Sequence, residues 1–176
     1  MPKISVPIRT KVAPFLIANS RSELIPIDKV YNELTGKLEF GSTHIVDMLN
    51  RGRSMADTTS EVLFLKDSLE LSDKDRQLIL SKCLECNDDK IIITHGTDTM
   101  VDTAKLLGEK IKDKTIVLFG SMIPYSIDNS DALFNLGVAL GAVQNKDNGV
   151  YVAMNGKVFD FDKVTKNKEK GLFEDC

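Results

Sequence analysis

The sequence predicts an α/β protein with an open, mostly parallel sheet and helices on both faces. Apolar, strand-like segments alternate with amphipathic, helix-like segments from about residue 40 onward, as in repeated βαβ units. Right-handed crossovers between such units place helices on both sides of the sheet. The chain of 176 residues, 42% of them hydrophobic, is long enough to bury the core of one such domain.

The first predicted element is a helix over residues 42–49, because Ile45, Met48 and Leu49 fall on one helical face. Gly52 lies just past its end, where glycine is common. His44 is then expected on a helix face rather than in a reaction site.

A strand over residues 61–65 and a second helix are predicted next. Ser72 is a suitable N-cap for this helix, and Asp73 and Asp75 place negative charge in its first turn. The buried face of this helix is predicted to include Leu78, Ile79 and Leu84.

The second half of the chain continues the alternation. Strands are predicted over 90–94, 115–119, 150–154 and 157–159, and helices over 99–111 and 131–144. Asn155-Gly156 is a hairpin-type dipeptide. The buried stripe of the last helix is predicted to contain Leu133, Leu136, Gly137 and Leu140, continued by Ala139, Ala142 and Val143. The basic stretch from Lys163 is predicted to be a loop or an exposed segment.

Composition narrows the class of partner. Lys and Arg number 23 against 26 Asp and Glu, for a net charge of -3, which argues against a nucleic acid or an anionic membrane and favours a small molecule. Three cysteines cannot all pair, and Cys83 and Cys86 have no second pair that would complete a zinc site. We therefore expect a reduced, cytoplasmic protein; a redox role for this pair is the weaker alternative.

Residues 91–100 (IIITHGTDTM) are the strongest functional signal in the chain. An apolar strand ends there on Gly96, and Thr97, Asp98 and Thr99 stand before a helix. Ligands of open α/β sheets bind beyond the carboxyl ends of the strands, where a helix N-terminus also attracts anions. The alternative is that Thr97 or Asp98 only caps the helix.

Three turns follow successive predicted strands, at 66–68, 94–99 and 120–122, and we expect them to converge on one edge of the sheet. A hydroxyl attacks a carbonyl only when a base removes its proton, and a desolvated lysine can act as that base. Thr97 supplies a hydroxyl and Lys166 could supply the amine. Asp98 could orient that amine or bind a substrate amino group.

Four segments of the sequence resemble the bacterial-type asparaginase family, in its short single-domain branch. They are 66–69 (KDSL), 93–100 (ITHGTDTM), 120–122 (GSM) and 154–160 (MNGKVFD), and the resemblance runs in order from about residue 27 to residue 174. The 94–99 element is the most specific. The chain is thus divided into an atypical segment, 1–26, and an asparaginase-type α/β domain, 27–176.

The resemblance implies a flavodoxin-like sheet and hydrolysis of L-asparagine to L-aspartate and ammonia by threonine hydroxyls, with no cofactor and no metal. Thr97, Asp98 and Lys166 match the family's second catalytic group. Ser68 matches the serine that holds the substrate α-carboxylate, and Asp98 also meets the α-amine. Ser121 stands in a turn whose backbone lies near the side-chain amide. A homo-oligomer is also expected.

The chain departs from the family at its front. The family's first motif, Thr-Gly-Gly-Thr-Ile, supplies the nucleophilic threonine, but residues 23–27 here read ELIPI, so Pro26 stands without a hydroxyl. Ser20 or Ser22 could substitute in a rearranged loop. Two functions are therefore open: an asparaginase-type amidohydrolase, or a non-catalytic amino-acid-binding protein. Alternatively, a shifted reading frame or an altered start accounts for the first 26 residues.

Overall fold

A six-stranded sheet forms the centre of the part of the chain that the computed structural model describes, namely residues 15–19, 27–40, 43–65 and 68–176. The strands and helices, in chain order, are β1 (Phe15–Asn19), β2 (Lys29–Asn32), β3 (Lys37–Phe40), α1 (Ile45–Arg51), β4 (Ser60–Leu65), α2 (Asp73–Glu85), β5 (Lys90–His95), α3 (Met100–Lys110), β6 (Thr115–Phe119), α4 (Ala132–Asn145), β7 (Gly149–Met154), β8 (Lys157–Asp160), β9 (Val164–Asn167) and β10 (Leu172–Asp175). A short 3-10 helix spans Ser68–Glu70.

The strand order of the central sheet is β4-β1-β5-β6-β7-β8. The first five of these strands run parallel, and β8 returns antiparallel to β7. The chain adds β4 on one side of β1 and then β5 on the other, so the order reverses between β1 and β5. This confirms the predicted open, mostly parallel sheet, and it places the expected ligand crevice beyond the ends of β1 and β5.

Helices cover both faces of the sheet, as predicted. Side chains alternate along β5, so Ile91 and Ile93 join the core beneath α2 and α3, while Ile92 joins the core beneath α1 and α4. Because both faces are buried, β5 and β6 each contain a continuous apolar run, residues 91–93 and 116–119, rather than alternating apolar and polar residues.

The alternation of elements starts earlier than the sequence predicted. Strand β1 and the β2–β3 hairpin lie before residue 41, and β1 pairs with both β4 and β5. Neither a turn glycine nor a helix-like segment follows the apolar residues of β1, unlike those of β5 and β6, so β1 had no clear local signal. The domain boundary after residue 26 stays a prediction, and Pro26 lies outside the described residues.

The prediction of a loop or exposed segment from Lys163 is wrong. Residues 164–167 and 172–175 form the antiparallel β9–β10 hairpin, in which Val164 and Phe173 are buried. Lysine is uncommon in strands, so the local sequence does not predict one here. The pairing and burial of these residues depend on contacts with distant parts of the chain.

The predicted buried faces of two helices also need correction. In α2, Leu78 and Leu84 are exposed, and Ile79, Leu80 and Cys83 pack on the sheet. Successive residues of a helix are rotated by about 100°, so consecutive apolar residues such as those at positions 78–80 cannot all face the sheet. The stripe of α4 includes Leu136 but leaves Gly137 exposed; its buried residues are Ala132, Asn135, Leu136, Ala139, Ala142 and Val143.

The first helix is shifted from its predicted bounds and begins at Ile45. His44 is its N-cap rather than a residue on its face. Within the described ranges, no helix has the length and apolar character needed to cross a membrane.

Candidate active site

Thr97 and Asp98 lie directly after β5, beside the position where the strand order reverses. Thr99 is the N-cap of α3, but its side chain makes no capping bond to the helix. The Asp98 carboxylate accepts a hydrogen bond from Lys166 instead. The turn therefore directs Asp98 towards a side chain from a distant segment.

Lys166 reaches this turn from β9. Its Nζ lies 2.8 Å from Thr97 Oγ1 and 2.8 Å from Asp98 Oδ1. The side chains of Lys166 and Asp98 are only 9% and 6% exposed, and Thr97 is also buried. The structure thus brings together three predicted site residues, although Lys166 is 69 positions from Thr97 in sequence.

This group combines a compensated charge pair with a hydroxyl. Two buried opposite charges are tolerated when they are paired and hydrogen-bonded, as Lys166 and Asp98 are. Lys166 Nζ donates to the hydroxyl oxygen of Thr97, so the two atoms are within reach for proton exchange. The arrangement can therefore hold or move a proton at Thr97 Oγ1.

The turn that carries Ser68 contacts the same region. The Thr99 hydroxyl donates to the carbonyl oxygen of Ser68 at 2.7 Å. Ser68 is fully buried, and its own Oγ has no hydrogen-bond partner among the residues that the structure describes. Lys66 and Asp67, predicted in the same turn, lie outside those residues.

The turn after β6 lies against Thr97. A Cβ added to Gly120 would lie 3.3 Å from Thr97 Cγ2 and 2.5 Å from the carbonyl oxygen of His95. Glycine is needed here because the backbone of the turn approaches β5 closely. Ser121 follows, and its buried Oγ, like that of Ser68, finds no partner in the described ranges.

Buried hydroxyls without partners are rare in proteins, and a bound polar group is one explanation for them. Ser68 and Ser121 are candidates for such binding, since their turns contact the Thr97 turn from two sides. The site therefore combines two hydroxyls that can bind a polar ligand with a threonine-lysine-aspartate group.

His95 supports this site, although sequence reasoning did not identify it. Its Nδ1 lies 2.7 Å from the carbonyl oxygen of Gly96, which can only accept, so Nδ1 carries the proton. Its Nε2 then accepts from the Thr103 hydroxyl at 2.8 Å. Burial lowers the pKa of His95 to about 4, so the ring is neutral at pH 7. It holds the peptide that precedes Thr97.

Asp131 holds the turn that contains Ser121, and it too was missed. Its carboxylate accepts hydrogen bonds from the backbone N–H groups of Met122 and Ile123, at 2.9 to 3.0 Å. The predicted start of the helix at Asp131 was the only sequence signal at this position. That signal suggested a helix terminus, not the backbone eight or nine positions earlier.

The chemistry of this site rests on hydroxyl, amine and carboxylate groups. Within the described ranges, no cluster of three or more His, Cys, Asp and Glu side chains is placed to hold a metal ion.

Comparisons with known proteins point to one family. Residues 25–173 match the family described as "Asparaginase, N-terminal". The chain is 34% identical over 142 residues to L-asparaginase 2 of Escherichia coli, a match that spans 77% of this chain and 40% of that protein. It is 35% identical over 120 residues to a glutaminase-asparaginase of Pseudomonas fluorescens, spanning 66% of this chain and 32% of that one.

A solved structure agrees with the sequence comparisons. The thermostable L-asparaginase from Thermococcus kodakarensis superposes with a TM-score of 0.77 at 26% identity, covering 93% of this chain and 51% of that chain. The chain therefore spans about half the length of the relatives it matches, or less.

Proposed function

The chain belongs to the asparaginase family, and from this membership we propose that it is an asparaginase-type amidohydrolase, acting on the side-chain amide of L-asparagine. The products are L-aspartate and ammonia. The contact of Lys166 Nζ with both Thr97 Oγ1 and Asp98 Oδ1 is the observation that carries the proposal.

In this proposal the Lys166 ammonium first releases a proton to solvent. The neutral amine then takes up the proton of the Thr97 hydroxyl, and Asp98 orients the ammonium that forms again. Both contacts are at 2.8 Å, which is within the range for proton transfer. General-base assistance makes a threonine hydroxyl a competent nucleophile towards an amide carbonyl, because the alcohol alone is too weak.

Ser68 and Ser121 bind the substrate in this proposal. The buried Oγ of Ser68 donates to the α-carboxylate, and Asp98 accepts from the α-amine. Ser121 and its turn lie near the side-chain amide. A ligand of this kind gives each buried hydroxyl the polar partner it otherwise lacks in the described structure.

The test is ammonia release from L-asparagine, with L-glutamine in parallel because relatives of both names match the chain. Thr97→Val keeps the side-chain shape but removes the hydroxyl, and we expect turnover to fall by about 10⁴-fold or more. Thr115→Val is the matched control, since Thr115 is also buried but lies at the opposite, amino end of β6. Equal turnover in both variants would overturn the role of Thr97.

A second candidate function is amino-acid binding without turnover. It is favoured by Pro26, which stands where the family's first motif places a hydroxyl. Calorimetric titration with L-aspartate separates the two: binding without ammonia release supports this candidate, and release that depends on Thr97 rules it out. A chain that neither binds nor turns over would contradict both.

We also propose that the chain forms a homo-oligomer, which sedimentation velocity would detect. A cytoplasmic, reduced protein is consistent with three unpaired cysteines, Cys83, Cys86 and Cys176.

A further inference from the structure

We infer that Asn155 is a positioning residue, which holds the β9–β10 hairpin, and with it Lys166, against the rest of the domain. The inference deepens the proposed function, on which it rests for the importance of Lys166. It concerns a side chain that does not itself contact the Thr97 group.

Asn155 lies in the turn between β7 and β8 and bonds to the hairpin through its side chain. Its Oδ1 accepts a hydrogen bond of 2.9 Å from the backbone N–H of Phe173. Phe173 is the cross-strand partner of Lys166 in the hairpin. In an antiparallel pair only alternate residues direct their N–H groups to the partner strand. The Phe173 N–H is directed to Asn155, so it ties Lys166's cross-strand neighbour to the sheet.

Asn155 is in turn held by the fully buried Asn135 of α4. The backbone N–H of Asn155 donates to Asn135 Oδ1 at 3.1 Å. Asn135 Nδ2 donates to the carbonyl oxygen of Gly120 at 3.0 Å and to Asp131 Oδ2 at 2.8 Å. A continuous path of hydrogen bonds therefore runs from the turn that carries Ser121 to the hairpin that carries Lys166.

Among the described residues, the other polar contacts of the hairpin are those of Lys166 itself with Thr97 and Asp98, contacts inside the hairpin, and exposed contacts. The polar contacts of Asn167 and Lys170 with Glu174 stay inside the hairpin. The Lys157–Asp175 ion pair joins it to β8 but is exposed, and exposed pairs contribute little. The burial of Phe173 is not directional, so it does not set the exact orientation of the strand.

The backbone of Asn155 allows its two roles to be separated. Its φ is +53° and that of Gly156 is +78°, as in a tight hairpin turn with both central residues in the left-handed region. Asn155→Gly preserves this turn, because glycine adopts positive φ freely, and removes only the side-chain acceptor. Asn155→Asp retains an oxygen that can accept from the Phe173 N–H.

The experiment compares hydrogen exchange of the Phe173 amide and the rate at which acetic anhydride acetylates Lys166, both read by mass spectrometry. We expect Asn155→Gly to raise both rates by about fivefold or more, and Asn155→Asp to restore them, because one neutral hydrogen bond is lost and regained. Asn145→Ala, which removes an exposed side-chain bond to Gly141 in α4, is the control and should match the parent.

Asn135→Asp should have the opposite outcome to Asn155→Asp. Asn135→Asp removes the donor to Gly120 and places a second carboxylate beside Asp131, so we expect faster exchange at Phe173. If Asn155→Gly does not fold, the contrast between Asn155→Asp and Asn135→Asp still decides the question. Both aspartate variants behaving alike would contradict the inference.

Neither rate requires turnover, so the inference and the proposed function can fail separately. If both rates in Asn155→Gly are within about twofold of those in Asn145→Ala, the positioning role is overturned, because neutral surface substitutions differ by about this much. If the parent releases ammonia, Asn155→Gly should lower kcat more than it raises KM, and Asn155→Asp should recover kcat.

Discussion

The β5–α3 turn and the β9–β10 hairpin contribute to the same candidate site but depend on different information. The turn comes from a local pattern, in which an apolar strand, a glycine and small polar residues precede a helix. The hairpin has a basic, irregular sequence, and a hydrogen bond from the Phe173 N–H to Asn155 Oδ1 and the burial of Phe173 hold it in place. We conclude that local sequence positions Asp98, whereas tertiary contacts position its partner Lys166.

This difference has a thermodynamic consequence. The turn keeps Thr97 and Asp98 adjacent whatever the hairpin does, whereas the position of Lys166 depends on tertiary contacts made far from it in sequence. Changes in the hairpin should therefore cost most where they leave the turn with an uncompensated buried group.

Lys166→Met should have the largest effect, because it leaves the buried Asp98 carboxylate without its cationic partner. We expect the free energy of unfolding in urea to fall by about 3 to 5 kcal/mol. Adding Asp98→Asn should recover much of the loss. Lys163→Met is the control: Lys163 is close to the hairpin, but its ion pair with Asp160 is exposed, so stability should hardly change. Equal losses in the two single variants would contradict the prediction.

His95 should make stability depend on pH. Its pKa is lowered from 6.5 to about 4 by burial, so the unfolded chain binds this proton more readily than the folded chain. The stabilisation is complete above about pH 6.5 and is lost as the pH falls towards 4, by on the order of 3 kcal/mol. His95→Gln should lose this part of the slope in urea titrations between pH 4 and 7. An unchanged slope would show that the ring is already accessible to protons.

Gly120→Ala should destabilise the turn beside Thr97. The added Cβ would lie 2.5 Å from the carbonyl oxygen of His95, and relieving this clash would require the backbone of β5 or of the turn to shift. We expect a loss of about 1 to 3 kcal/mol by thermal unfolding. Gly137→Ala offers a matched comparison, since nothing lies within 4 Å of its added Cβ on the surface of α4, and helix propensity should favour it by about 0.5 to 1 kcal/mol. Similar losses at both glycines would argue against close approach as the cause.

Ser72→Ala should have the smallest effect, because it changes only a local cap. Ser72 Oγ accepts from the Asp75 N–H, and the Asp75 carboxylate accepts from the Ser72 N–H. We expect a loss of about 1 kcal/mol in urea unfolding. Ser81→Ala, at an exposed position within the same helix, should be neutral or slightly stabilising. A larger loss at Ser81 would contradict the capping explanation.

The accuracy of the sequence predictions follows the same division. Strand β6 was predicted with its observed bounds, and β5 and α3 to within one residue at each end, because strong apolar patterns and turn glycines mark them. The capping by Ser72 was also predicted and is confirmed. Strand β1 and the β9–β10 hairpin were missed, since each depends on partners elsewhere in the chain.

The residues around the candidate site divide in the same way. Thr97, Asp98, Ser68 and Ser121 lie in turns that were predicted to follow strands, and Lys166 was considered as a possible amine. The family resemblance then supplied the roles of all five residues. His95, Asn135 and Asn155 were not named as supporting residues, because a buried imidazole or amide has the same local sequence signature as an exposed one. Their roles depend on hydrogen-bond partners that only the folded chain supplies.

Local sequence was sufficient to predict the α/β class, most of the sheet and the turn that presents Thr97 and Asp98, because periodicity, turn glycines and caps act over a few residues. The position of β1 between β4 and β5, the strand that contains Lys166 and the amides that hold this strand became evident only from the folded chain. These outcomes depend on pairing and burial between residues far apart in the chain, and such contacts leave no periodic trace in the sequence.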